Sequence, residues 1–174
     1  MTSGASESCP GCGEPSIGPF CEQCGQSRSA ATLPSQPSWC AVIAPDREYF
    51  EANGGCTEQF TFPSSSPTRH VLLAGACVRI GRRSSSRGTA PEIDLAQPPA
   101  DPGVSRQHAQ LLAQADGTWA LLDNGSTNGT YLNGAAARIP AHQQIPLSNA
   151  DRIHLGVWTT ITILLPDSAG SAGL

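Results

Sequence analysis

From Trp39 onward the chain breaks into short apolar runs, each closed within a few residues by Gly, Asn, Asp or Pro. The runs are Cys40 to Ala44, His70 to Ala74, Cys77 to Ile80, His108 to Ala113, Thr118 to Leu122, Arg152 to Leu155 and Thr159 to Leu165. Such runs have strand length, and turn signals between them leave little room for long helices. The spacing predicts an all-β sandwich. In the last run Ile161, Ile163 and Leu165 fall on one face and Thr160 and Thr162 on the other, as in a half-buried strand. The same alternation turns Ile153 and Leu155 inward and predicts Arg152 and His154 as solvated. A charged fraction of 14%, with 18 Gly and 15 Pro, fits strands and turns better than helices laced with paired charges.

At 174 residues the chain has room for one substantial core and a small attachment. The attachment is N-terminal. Cys9-Pro10-Gly11-Cys12 and Cys21-Glu22-Gln23-Cys24 are matching knuckles, each followed by Gly. Thiolates from two such turns close a tetrahedral site, which favours Zn2+ over rubredoxin-like iron or a redox dithiol. So short a segment cannot fold on apolar burial, so the metal would supply its folding energy. Residues 1–25 are therefore expected to be a structural zinc ribbon. Residues 26–38, rich in Ser, Ala, Pro and Gln, read as a linker, 39–166 as the β-domain and 167–174 as a frayed tail. The irregular segment from Pro45 to Pro67 reads as an elaborated first connection, with Tyr49-Phe50 expected in the core. Cys40, Cys56 and Cys77 form no knuckle and read as free thiols rather than a second metal site.

The formal charge of −4 argues against a general nucleic-acid binder, whose affinity comes from neutralising many phosphates. Locally the balance reverses. Arg79, Arg82, Arg83 and Arg87 fall in one stretch that holds no acid, a focused patch suited to one small anion. No apolar run approaches the roughly 20 residues of a membrane span, and Met1 to Ser8 lacks the pattern of a secretory signal, so a cytoplasmic protein is expected.

The polar residues gather at the turns: Gly81-Arg82, then Ser105-Arg106-Gln107-His108, then Ser126-Thr127-Asn128-Gly129-Thr130. A cation, two hydroxyls and an amide presented from separate loops suit a compact dianion on a peptide. Phosphate carries about −1.5 to −2 charge at neutral pH and calls for Arg forks and hydroxyl or amide donors. Arg82 can make the forked contact. Ser105 and Thr127 can donate to further oxygens, and Asn128 can pair with peptide backbone through both its amide nitrogen and its carbonyl.

In order and spacing, Ile80-Gly81-Arg82, Val104-Ser105-Arg106-Gln107-His108-Ala109 and Gly125-Ser126-Thr127-Asn128-Gly129-Thr130 with Asn133-Gly134 resemble the forkhead-associated domain, a reader of phosphothreonine peptides. The resemblance runs from about Trp39 to Leu165, and the long first connection departs from the family's compact form. It implies an FHA-type β-sandwich of about eleven strands. It also implies a non-catalytic adaptor that binds a threonine-phosphorylated protein in a bacterial-type Ser/Thr kinase pathway. Arg82, Ser105, Arg106, Thr127 and Asn128 would touch the phosphopeptide, with Gly81, His108 and Gly129 supporting the site.

Two rival functions are weaker. No GxSxG elbow surrounds Ser105, the loop at 125–134 lacks the GK[ST] ending of a phosphate-cradling loop, and residues three apart on a strand face opposite ways, which separates Ser105 from His108. A nucleic-acid or transcription-associated ribbon is the alternative reading. However, the flanks of the cysteine pairs carry Glu7, Glu14 and Glu22 against a single Arg28 and lack the basic, aromatic surface of single-strand binders. Thr32 is the only threonine of the linker. Once phosphorylated, it is expected to fold back into the domain's own pocket and compete with partners at high effective concentration.

Overall fold

In the computed structural model, residues 7–8, 15–16, 38–55, 59–65, 67–84, 88 and 90–165 are described. Cys9, Cys12, Cys21, Cys24, Thr32, Cys56, Arg87 and the expected tail lie outside them, as does all of the 26–38 linker except Ser38. Packing divides the chain into Met1–Gln36 and Pro37–Leu174. The first unit holds one described feature, an antiparallel pair of β1 (Glu7–Ser8) and β2 (Pro15–Ser16) in the register Glu7↔Ser16 and Ser8↔Pro15.

The second unit contains ten strands among the described residues. One sheet has the order β10-β8-β7-β5-β6, from β5 (Cys77–Gly81), β6 (Ile93–Asp94), β7 (Ala109–Ala113), β8 (Trp119–Asp123) and β10 (Gln144–Leu147). The other has the order β4-β3-β12-β11-β9, from β3 (Cys40–Pro45), β4 (Arg69–Leu72), β9 (Thr130–Leu132), β11 (Arg152–Leu155) and β12 (Thr159–Leu164). All pairs are antiparallel except β5 with β6.

Alternation builds the core. Val78 and Ile80 of β5, Leu111 of β7 and Leu121 of β8 meet Ala41 and Ile43 of β3, Ile153 and Leu155 of β11, and Ile161 and Ile163 of β12, all buried. A sandwich of this kind leaves its loops at the sheet ends, where they present side chains on a rigid frame.

The first connection contains a short helix, α1 (Arg47–Ala52), that the sequence reading left as irregular chain. Asp46 caps it from extended backbone, accepting from the Tyr49 amide at 3.2 Å. Phe50 is buried, as expected for this segment. It packs beside Phe62 and Trp158, with ring centroids 5.5 and 6.3 Å away, as a satellite cluster.

This helix also overturns the expectation for His154. The side chain is buried at 4% exposure, and Thr160 beside it at 5%, because α1 covers the face of β11 and β12 that a two-layer sandwich would leave wet. The His154 ring lies 5.0 Å from that of Tyr49, and its Nδ1 is 2.8 Å from Thr160 Oγ1. That hydroxyl in turn donates to Asp46 at 2.8 Å. Burial, then the Arg152 charge, holds the imidazole below its ordinary pKa despite Asp46 and Glu48.

Candidate anion-binding site

Two buried carboxylates shape the loops at one end of the domain. Asp101, fully buried, accepts from the amides of Gly103 at 2.9 Å, Val157 at 2.9 Å, and Trp158 and Thr159 at 3.1 Å, and from the Thr159 hydroxyl at 2.7 Å. It ties the chain just before Ser105 to the turn between β11 and β12.

Asp123 does the same for the loop after β8, accepting from the Gly125 and Ser126 amides at 2.8 Å and from the hydroxyls of Ser126 and Thr130 at 2.6 and 2.5 Å. Burial pushes its carboxyl up. The bonds from Ser126, Thr130 and Gly125 outweigh this and leave it below its ordinary pKa. Neither aspartate was picked out from the sequence. The signal was there, because Asp101-Pro-Gly103 and Asp123-Asn-Gly125 share the Asp-x-Gly form of an Asx turn.

On this frame Ser105 and Thr127 come together. The Thr127 amide donates to Ser105 Oγ at 3.2 Å, and the two hydroxyl oxygens are 3.5 Å apart. Arg82 joins through the backbone, its amide donating to the Arg106 carbonyl at 3.2 Å. Gly81 is what permits that approach, since a Cβ there would sit 2.1 Å from the Arg106 carbonyl oxygen.

His108 lies beneath the loops, fully buried. Its Nδ1 accepts from the Ser105 amide at 3.0 Å, which puts the ring proton on Nε2, facing the Gly129 carbonyl at 3.2 Å. Burial holds this ring below its ordinary pKa, so it stays neutral. Gly129 itself sits at φ 81°.

The Ser105–His108 relation comes from a turn and not from an extended strand. Ser105 offers the ring its amide, and both ring nitrogens are engaged, so no base is aimed at Oγ. The loops that carry Arg82, Ser105, Arg106, Thr127 and Asn128 meet through these backbone and hydroxyl contacts. Asn128 Nδ2 already donates to the Gly103 carbonyl at 2.8 Å, which leaves its Oδ1 to meet a ligand.

The basic stretch is narrower than the sequence suggests. Glu92 grips Arg79 through Nη2 at 2.6 Å and Nε at 3.0 Å, and these bonds hold its own pKa down at about 2. Arg83 pairs with the buried Asp94 at 3.2 Å. Both acids are remote in sequence and were invisible to a reading of residues 79–87. Arg82 and Arg106 make no ion pair among the described residues, and Arg82 Nε is buried without a partner there. Two guanidiniums without a described ion pair and two adjoining hydroxyls on neighbouring loops, with a free amide carbonyl on Asn128, are groups whose chemistry suits a small anion.

Residues 78–156 match the family model described as the FHA domain. The oxoglutarate dehydrogenase inhibitor of Corynebacterium diphtheriae is 36% identical over 90 residues, 52% of this chain and 57% of that protein. The glycogen accumulation regulator GarA of Mycolicibacterium smegmatis is 31% identical over 98 residues, 56% of this chain and 57% of that one. The chain thus spans somewhat over half the length of either relative. The solution structure of the FHA domain of an Arabidopsis thaliana hypothetical protein superposes with a TM-score of 0.50 at 25% identity, covering 79% of this chain and 92% of that domain.

Proposed function

Because this chain carries a forkhead-associated domain, we propose that it is a non-catalytic, cytoplasmic adaptor that binds threonine-phosphorylated proteins in bacterial Ser/Thr kinase signalling. The observation that supports this reading is the meeting of the loops that carry Arg82, Ser105, Arg106 and Thr127, two of them cations with no described ion pair. Arg82 takes the phosphate in a forked contact and Arg106 adds the second charge. Ser105 and Thr127 donate hydroxyl hydrogens to the remaining oxygens. Asn128 Oδ1 accepts from the peptide backbone and sets its direction. Each hydrogen bond to the dianion is worth roughly 1.5–3 kcal/mol, partly offset by ordering the peptide, so the contact is reversible and can follow kinase activity. The relatives named as an inhibitor and a regulator fit a protein that acts by binding.

Titration of a phosphothreonine peptide library against wild type and Arg82→Ala tests the reading. Saturable binding that needs the phosphate and falls at least about thirtyfold in the variant is expected, about 2 kcal/mol and within the range of a single charge-assisted bond. Equal binding of unphosphorylated peptides, or release of phosphate from the phosphorylated ones, would refute it.

For the N-terminal unit we propose a structural zinc site of Cys9, Cys12, Cys21 and Cys24. Cys9 and Cys12 fall in sequence between the paired β1 and β2, and the repeat of their spacing at Cys21 and Cys24 supports this reading. When bound, the metal would supply folding energy and no reaction. Phosphorylated Thr32 is proposed as an internal competitor for the same pocket. Unchanged affinity for an external phosphopeptide after phosphorylation at Thr32, verified by mass spectrometry, would refute it.

A further inference from the structure

Beside the anion site, on the face that α1 covers, lies a cleft of ≈ 690 Å³. One wall is α1, with Glu48, Tyr49 and Asn53. The other is Tyr131 of β9 and the following turn at Asn133–Ala136. The cleft adjoins the proposed peptide path, because the Tyr131 hydroxyl lies 3.4 Å from the carbonyl of Asn128, the residue assigned to the peptide backbone.

The charges of the cleft are unequal. Asp46 and Arg152 cancel, Nη2 to Oδ2 at 2.5 Å, and His154 is held neutral by burial. Glu48 has no ion pair among the described residues and is exposed on the rim, so the cleft carries one net negative charge. Burial first, then the neighbouring Tyr131 and Asp101, push the Tyr49 hydroxyl up to about 12, so its ring stays uncharged at neutral pH. Two aromatic walls beside an unpaired carboxylate favour a cation, attracted by the ring faces and by Glu48 together. An anionic or purely apolar side chain would gain neither.

We propose that this cleft is a second recognition subsite that takes an Arg or Lys side chain of the bound phosphopeptide, on the side where the peptide leaves Asn128. The proposal rests on the phosphopeptide-reader assignment. An extended peptide advances about 3.3 Å per residue and alternates its side chains, so only one or two positions on one side can reach between Tyr49 and Tyr131. The subsite needs α1, so it belongs to the elaborated first connection and not to the loops that hold the phosphate.

The test walks a single Arg through each position flanking the phosphothreonine of an otherwise Ala-based peptide, with affinities measured for the full chain, Glu48→Lys and Arg82→Ala. A gain of about threefold to tenfold is expected at one or two positions on one side, the range for an exposed cation on an aromatic face beside a carboxylate. Glu48→Lys, an exposed position, should erase that gain while leaving the all-Ala phosphopeptide bound as before. An equal gain at every position, or one that persists in Glu48→Lys, would reflect overall charge and overturn the subsite while the reader stands. If no phosphothreonine peptide binds wild type, or if Arg82→Ala binds all of them unchanged, the reader itself fails and the subsite with it.

Discussion

The domain has two polar centres built from aspartate and histidine, and they solve different problems. At the loop end, Asp101, Asp123 and His108 gather backbone amides and hydroxyls and take no cation among the described residues. On the α1 face, Asp46 takes the nearby cation, Arg152, and together with His154 and Thr160 fastens a helix to a sheet. A buried anion satisfied by neutral donors organises a site. A partly buried one paired with a cation closes a surface.

The sharpest way to break this contrast is Asp101→Ala, which strands four amides and a hydroxyl on chain segments more than fifty residues apart. Removing a buried carboxylate from such a network costs about 3–5 kcal/mol. Because the segment before Ser105 loses its anchor, phosphopeptide affinity should fall with stability, as calorimetry and urea unfolding would register. If affinity survived at temperatures where the variant is folded, the frame would not be what positions Ser105.

Asp46→Ala provides the counterpart. It removes the α1 cap, the Arg152 pair and the Thr160 bond at a partly exposed position, a loss of about 1–2 kcal/mol. Affinity for an Ala-flanked phosphopeptide should be unchanged, because none of these contacts reaches Arg82, Ser105 or Thr127. Comparable losses of affinity in both variants would erase the distinction between the two centres.

How legible each centre was in the sequence follows from how far apart its members lie. Strands β3, β5, β8, β11 and β12 were readable because alternation is local, and so were the loops, since Arg82, Ser105 and Asn128 each sit at a turn between apolar runs. The short β6, β9 and β10 escaped because two to four residues, one of them Pro146, carry no period. Reading His154 as solvated followed the rule of alternation. The rule failed because Asp46 and Tyr49, more than a hundred residues away, close over that face. The basic patch failed in the same way. Glu92 and Asp94 return to Arg79 and Arg83 through the parallel pairing of β6 with β5, which no local window displays. Asp101 and Asp123 were legible as Asp-x-Gly turns and were missed for want of a reason to link turns to the site.

The two histidines give a pH test with a defined sign. Both have folded pKa values below the ordinary 6.5, chiefly because burial disfavours the imidazolium. Above 6.5 neither state binds the proton and their contribution is fully present. As pH falls below 6.5 the unfolded chain protonates first, so stability declines until the folded pKa is passed, at no more than about 1.4 kcal/mol per pH unit for each ring. Urea unfolding between pH 8 and 5 should show this decline, and His108→Gln should flatten part of it. Protonation of His108 would also place a hydrogen on Nδ1 against the Ser105 amide, so the loop should loosen together with the loss of stability. Stability rising as pH falls through this window would mean the rings are held charged and the tautomer assigned to His108 is wrong.

The smallest effect separates the cations themselves. Arg79 and Arg82 are three residues apart in one basic stretch, yet Arg79 is spent on Glu92 and Arg82 is not. An exposed ion pair contributes little, so Arg79→Ala should leave phosphopeptide affinity within about twofold of wild type. It should also release Glu92 from its pKa of about 2, a rise that NMR titration of the carboxyl would detect. Double substitution with Glu92→Gln should then add nothing further. A large loss of binding in Arg79→Ala alone would mean that Glu92 gives up its partner when the phosphate arrives, and the uncommitted cations would number three.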